Sequence, residues 1–268
     1  MTDDGRTTFA AARRERIMEL VRANGSMALR DIATQVRASE VTVRRDVRAL
    51  EAEGLIDRRR GGAALPGQLG HDQSYAQMTG HNAPQKRAIA AAAARLVEDD
   101  DAIALGPGTT AEALARELVG RRNLTVVTTS LPAADVLAGA PGVEVVMPGG
   151  TLRSSIRALV GAATEQALAG LRVRRAFVTG NGVTADRGLS TPNPAVAATD
   201  RALVAAAQEA IVLADSSKVG TDTMVQTVPP EQIAHLVTDN RADPEVLMTL
   251  EDAGTLVHVA VLDTDRGE

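Results

Sequence analysis

Apolar residues recur at Val43, Val47 and Leu50, and this i, i+4, i+7 spacing predicts a helix from Ser39 to Leu50 with one aliphatic side. Arg44, Arg45 and Arg48 fall on the opposite side, with Val41 among them. Upstream, Phe9, Ile17, Leu20 and Val21 mark one side of a first helix that stops at Asn24-Gly25, and Leu29, Ile32 and Val36 mark a short second one. Arg37-Ala38 is a tight turn into Ser39, whose hydroxyl is placed to cap the third helix. After Gly54, "LIDRRRGGAAL" reads as strand, Gly-Gly turn, strand. Two helices joined by a short turn, the second basic, followed by a hairpin, predict a winged helix-turn-helix over residues 9–65.

The pattern changes between Pro66 and Pro84, where "PGQLGHDQSYAQMTGHNAP" has no apolar period and reads as a linker over 66–84. From residue 85 to 268 short β-type runs alternate with alanine-rich helical ones. "AIAL", "LTVVTT", "VEVVM", "AFVTG", "AIVLA", "HLVTD" and "TLVHVAVL" are the strands, and "SIRALVGAATEQALAG" and "AVAATDRALVAAAQ" are among the helices. Such alternation predicts an α/β domain whose mostly parallel sheet is covered on both faces. The chain opens on no secretory pattern and holds no apolar run long enough to span a bilayer, so a cytoplasmic protein with no membrane partner is the expectation.

Charge sharpens the picture of the first domain. The net charge of -5 averages two unlike regions: residues 1–65 carry 13 arginines against 10 acids, a balance of +3, and the remainder carries -8. A basic module on an acidic chain points to a polyanion partner for that module. On a double-stranded DNA operator, Arg44, Arg45 and Arg48 suit phosphates and guanine edges in the major groove, and Ser39 and Thr42 suit phosphate or base contacts. Arg58, Arg59 and Arg60 on the hairpin suit backbone or minor groove. An ordinary solvated helix, with Arg45 or Arg48 paired to Glu51 or Glu53, is the alternative reading. A single winged domain covers only a half-site, which makes a homo-oligomer the expected binding form.

In the second domain several strands end in small or hydroxylated residues, where ligands sit in an open α/β sheet. After "AIAL" come Gly108, Thr109 and Thr110 at the start of a helix, a turn that alone is weak evidence for an anion site. Ser130, Gly149-Gly150 with Arg153, Asn181-Gly182, and Asp215 with Lys218 follow the later strands. Converging, these groups would hold a small phosphorylated metabolite as effector. Each keeps a structural reading open beside the functional one, such as Ser130 as a helix cap, Gly149-Gly150 as a plain turn, and Lys218 as a surface lysine. Cysteine is absent and His and acidic residues show no ligand spacing, so no metal and no cofactor are expected.

"RRERIMELVRANGSMALRDIATQVRASEVTVRRDVRALEAEGLIDRRRGGA" resembles the DNA-binding domain of the DeoR family of bacterial transcriptional regulators, and "GPGTT", "TVVTTSL", "MPGGTLR", "GNGV" and "VLADSSKVG" recur in the order of that family's sensor domain. The resemblance implies a sensor similar in fold to ribose-5-phosphate isomerase that binds a phosphorylated sugar and thereby alters DNA affinity, most simply as a repressor. It also exposes departures: Gly106-Pro107 stand where the family has an acid and a hydroxyl, Thr129 where it has Asn, Val196 and Asp200 where it has Glu and Lys, and Met78 where Arg is common. Asp200 facing the pocket would disfavour a highly anionic ligand. Two other classes stay open at this point. A sugar-phosphate isomerase would use Asp215 and Lys218 as base and electrophile but finds no Glu or His to shuttle a proton, and a nonspecific architectural DNA binder would have no need of the acidic domain. The regulator, not an enzyme, is the expectation.

Overall fold

The computed structural model describes residues 4–24, 26–59, 62–64 and 75–262, and the chain divides into two compact units, residues 1–71 and 72–268. In the first unit α1 (Asp4–Asn24) leads into β1 (Ser26–Ala28), α2 (Leu29–Gln35), α3 (Glu40–Ala52), β2 (Asp57–Arg59) and β3 (Gly62–Ala64). Ile17, Val21, Leu29, Ile32, Val43, Val47, Leu50 and Ile56 form its core, while Leu20 and Val36 are only partly covered and the buried methionine Met18 joins instead. The side chain of Phe9 lies outside the described residues. Arg37 takes a left-handed φ of 52°, which turns the chain from α2 into α3 without a glycine. β1 was not legible as a strand. It pairs antiparallel with β3, giving a three-stranded wing in the order β1-β3-β2.

The second unit begins with residues that the sequence assigned to the linker. A helical turn, α4 (Tyr75–Met78), is held to the unit by the Tyr75 amide donating to the Ser155 carbonyl and by the Tyr75 hydroxyl donating to Glu112. The expected linker therefore ends too late at residue 84, because polar residues without apolar period conceal a segment fixed by hydrogen bonds rather than by burial. After α5 (Ala83–Ala94) come β4 (Ala102–Leu105), α6 (Thr109–Leu118), β5 (Leu124–Thr128), α7 (Leu131–Leu137) and β6 (Val143–Val146). The hairpin β7 (Thr151–Arg153) and β8 (Ala158–Val160) precedes α8 (Ala162–Leu168) and β9 (Val173–Thr179). Then follow β10 (Gly182–Thr184), β11 (Gly188–Thr191), α9 (Pro194–Ala205), β12 (Ala207–Leu213), β13 (Val225–Val228), β14 (Ile233–Asp239), α10 (Pro244–Asp252) and β15 (Leu256–Ala260).

Seven parallel strands form the central sheet in the order β15-β14-β12-β9-β4-β5-β6. Alternate side chains go to opposite faces. Ile103, Leu105, Phe177, Ile211 and Leu213 meet α5, α6 and α7 on one, through Ile89, Leu114 and Leu137 among others, whereas Ala104, Val127 and Ala176 meet Leu168 of α8 and Leu203 of α9 on the other. Burial on both faces is why these strands read as unbroken apolar runs. The segment "SIRALVGAATEQALAG" departs from the helix expected of it: Arg157 at φ 52° and Gly161 at φ 101° divide it, and Ala158–Val160 pair with β7 before α8 starts. β10, β11 and β13, unexpected from sequence, make a small antiparallel sheet in what reads as loop.

Candidate functional site

Ser39 caps α3, its Oγ accepting from the Thr42 amide at 3.3 Å and lying 2.9 Å from the Thr42 hydroxyl. Both side chains thus also serve the helix start, and Ser39 is exposed. Val43, Val47 and Leu50 seat the helix; Arg44, Arg45 and Arg48 are exposed on the far side, and Val41 beside them is 72% exposed. Among the described residues none forms an ion pair with Arg44, Arg45 or Arg48. Among the described residues the pairing of Arg45 or Arg48 to Glu51 or Glu53 is therefore not made, and the three guanidinium groups lie on the solvent side of α3.

The sequence did not single out Asp46, the buried carboxylate of α3. It accepts from Arg13 Nε at 2.6 Å and from Arg14 Nε at 3.3 Å, tying this helix to α1. Arg14 also reaches Glu53, at 3.8 Å. In the wing, Arg58 pairs with Ala63 and Arg59 with Gly62 in register, while Arg60 lies outside the described residues.

The second unit carries a cleft at one place in its topology. From β4 the strand order runs outward through β5 and β6 on one side and through β9, β12, β14 and β15 on the other, so the switch point lies between β4 and β9. The crevice past the carboxyl ends of strands at such a reversal is where open α/β sheets hold ligands. A cleft opens there, lined by Pro107–Thr110 after β4, Thr179–Asn181 at the end of β9, Lys218 after β12, and Met78, Ile156, Thr191, Val196 and Asp200. Gly108 precedes α6 with φ 127°, and a Cβ there would sit 2.5 Å from Thr179 Oγ1, whose hydroxyl donates to the Pro107 carbonyl at 2.6 Å. No side chain caps α6, and Thr109 and Thr110 of its first turn line the cleft, which sets the positive end of the helix dipole beside it.

Five of the expected effector residues come together in this cleft: Gly108, Thr109, Thr110, Asn181 and Lys218. Six do not line it. Ser130 is buried and caps α7, accepting from the Ala133 amide at 3.3 Å. Gly149 and Gly150 turn the chain into β7, at φ 76° and 119°, and the Gly149 carbonyl accepts from Thr164. Arg153 ends β7, half-buried. Gly182 is packed in β10, where a Cβ would meet the Thr221 carbonyl at 2.4 Å. Asp215 lies behind the cleft, 1% exposed, its Oδ1 accepting from Asn82 Nδ2 at 3.0 Å and from the Ser217 amide and hydroxyl. Strand-end position alone does not say which way a loop turns. Of the departures from the family pattern, Pro107, Met78, Val196 and Asp200 line the cleft, whereas Gly106 and Thr129 are buried outside its lining.

Lys86 was missed. Buried on α5, it donates from Nζ to the Met78 carbonyl at 2.9 Å. Burial, and next the Lys218 charge, lower its pKa to about 8, against the opposing pull of Asp215. For Asp215 burial works to raise the carboxyl, yet the Lys218 ammonium foremost, then Ser217, Lys86 and Asn82, hold it below its ordinary value. A signal was present: Lys86 and Lys218 are the only lysines in a chain whose other basic residues, histidines aside, are all arginine, and the charges of both act on the Asp215 carboxylate. Among the described residues no group of three His, Cys, Asp or Glu could hold a metal ion.

The description "DeoR C terminal sensor domain" fits residues 81–240, and "DeoR-like helix-turn-helix domain" fits residues 13–68. The chain belongs to the DeoR family. Its relatives include the HTH-type transcriptional regulator GlpR of Haloferax volcanii, 32% identical over 92% of this chain and 96% of the relative. The lactose phosphotransferase system repressor of Lactococcus lactis is 30% identical over 91% of this chain and 97% of its own. Among solved structures, ribose 5-phosphate isomerase A of Methanocaldococcus jannaschii overlaps 51% of this chain and 54% of its own, with 23% identity and a TM-score of 0.38. As a DeoR-family member the chain is a DNA-binding transcriptional regulator and not an enzyme, with a helix-turn-helix in its first unit and the sensor domain in its second. Among the described residues no helix is long and apolar enough to cross a membrane.

Proposed function

We propose that this regulator is a cytoplasmic repressor, that it binds its operator as a homo-oligomer with α3 as its recognition helix, and that a small phosphorylated metabolite in the switch-point cleft weakens that binding. The observation that carries the effector reading is the pairing of the uncapped α6 start with Lys218 across one crevice. Backbone amides and an ammonium are what a phosphate accepts from. Thr109, Thr179 and Thr191 add hydroxyls, and Asn181 an amide, for the remainder of a polar metabolite. Repression is supported by relatives that bear the name repressor. Control requires that the ligand favour the DNA-free state over the DNA-bound one.

The test is fluorescence anisotropy of the full chain on DNA upstream of its own gene, titrated with a panel of sugar phosphates. A sugar phosphate that lowers operator affinity in the wild type, and fails to in Lys218→Ala, is the expected result. Operator binding that no phosphorylated compound alters, together with no thermal shift by any of them, overturns the effector reading.

A further inference from the structure

The second unit begins at residue 72, and the stretch from Tyr75 to Asn82 is held at both ends by groups that stand beside the cleft. At one end Tyr75 is gripped from two sides. Its amide donates to the Ser155 carbonyl, next to Ile156 of the lining, and the Arg157 guanidinium lies 5.4 Å from the centre of its ring, while its hydroxyl donates to Glu112 in the first turn of α6. At the other end Asn82, at a left-handed φ of 52°, donates from Nδ2 to Asp215 Oδ1 at 3.0 Å and to Ser217 Oγ at 3.3 Å, in the loop that carries Lys218. Between the two ends Met78 lines the cleft, and its carbonyl accepts from Lys86.

Both latches end on carboxylates, and each carboxylate depends on a positive source that the cleft also faces. Glu112 shares the first turn of α6 with Thr109 and Thr110 of the lining, where the helix dipole favours negative charge. Asp215 is buried, and Lys218 is foremost among the groups that keep it ionised. An anion in the cleft draws on both sources: it stands against Glu112 as a like charge, and it turns the Lys218 ammonium from Asp215 toward itself. A hydrogen bond to a charged acceptor is about twice as strong as one to a neutral acceptor, so an Asp215 that takes up a proton for want of its ammonium holds Asn82 less well.

We infer that residues 75–82 are a strap through which the cleft controls the winged unit: a phosphate in the cleft competes with Glu112 and Asp215 for the α6 start and Lys218, the strap lets go at both ends, and operator affinity falls. The inference rests on the phosphate reading above and adds how the ligand is read out. Tyr75 and Asn82 are its positioning residues, and neither lines the cleft.

Tyr75 is the only tyrosine of a chain without tryptophan, so the emission of the full chain reports this latch alone. A phenol hydrogen-bonded to a carboxylate is quenched, and it brightens on release. Calorimetry with inorganic phosphate and a panel of sugar phosphates, ribose 5-phosphate and glucose 6-phosphate among them, identifies the compounds that bind the full chain; each should raise Tyr75 emission. Tyr75→Phe combined with Asn82→Gly, which keeps the left-handed turn, releases both latches without a ligand. This variant should bind operator DNA about tenfold more weakly, its operator affinity should then respond to the same compound by no more than about threefold, and it should bind that compound more tightly than the wild type does, as reciprocity demands. Mere damage to the fold would weaken both kinds of binding. A compound that binds without changing Tyr75 emission overturns the inference and leaves the phosphate reading standing, as does a variant that matches the wild type on operator DNA or binds the compound less tightly. Failure of every phosphate compound, inorganic phosphate included, removes the phosphate reading itself, and this inference with it.

Discussion

If α3 is the recognition helix, as proposed, three of its side chains decide how it acts. Arg45 stands exposed with no ion pair among the described residues, so its truncation leaves the fold alone and costs only what it gives to DNA. Arg45→Ala should weaken operator binding by about 1–3 kcal/mol and relax discrimination at one base position, read by anisotropy on operator variants. Val41, exposed and apolar on the same face, suits a thymine methyl. Asp46 is the opposite case, buried and shared by two arginines. Lys86 offers a pH test with a definite sign. Its folded pKa of about 8 lies below the 10.5 of the free side chain, so between those values the unfolded chain binds the extra proton. Stability contributed by this site therefore rises with pH across that window. Compared with Lys86→Met in denaturant titrations, the wild type should gain roughly 3 kcal/mol between pH 8 and 10.5.

At the scale of elements, legibility followed periodicity. Helix α3 and the seven sheet strands were readable because each keeps a pattern long enough to show: 3.6 residues for Val43, Val47 and Leu50, and apolar runs for the strands, buried on both faces in the inner ones. What was lost lies where a single residue changes the backbone, as at Arg157 and Gly161, or where three-residue strands are too short to alternate. The cleft was half legible for a related reason. Gly108 to Thr110 announced themselves by a turn at a strand end, but which other strand ends converge depends on strand order, and chain order does not reveal that β4 neighbours β9. The α6 start also depends on an element-level fit: Gly108 lets the backbone pass under Thr179. Gly108→Ala adds a Cβ into that hydroxyl at an unfavourable φ, and should cost about 1–3 kcal/mol in thermal or denaturant unfolding and abolish the phosphate-induced thermal shift.

On the scale of the whole molecule, the proposed homo-oligomer has one winged unit per chain for one half-site each, so the operator should mirror that assembly's symmetry. Footprinting with the full chain should show two protected half-sites whose centres lie about 10–10.5 base pairs, or a multiple of that, apart, and sedimentation should show no monomeric complex. A single protected half-site bound by a monomer contradicts the arrangement. The segment that opens the sensor unit, residues 75–82, sets what a signal must overcome. The hydrogen bonds that fasten it and its neighbour Lys86 include Tyr75 to Glu112, the Tyr75 amide to Ser155, Lys86 to the Met78 carbonyl, and Asn82 to Asp215 and Ser217. At about 0.5–1.5 kcal/mol net apiece these amount to a few kcal/mol. A metabolite that signals by unfastening this stretch must supply at least that much differential affinity for the released form, so the firmness with which one short run of backbone is moored sets the threshold a weak ligand fails to cross.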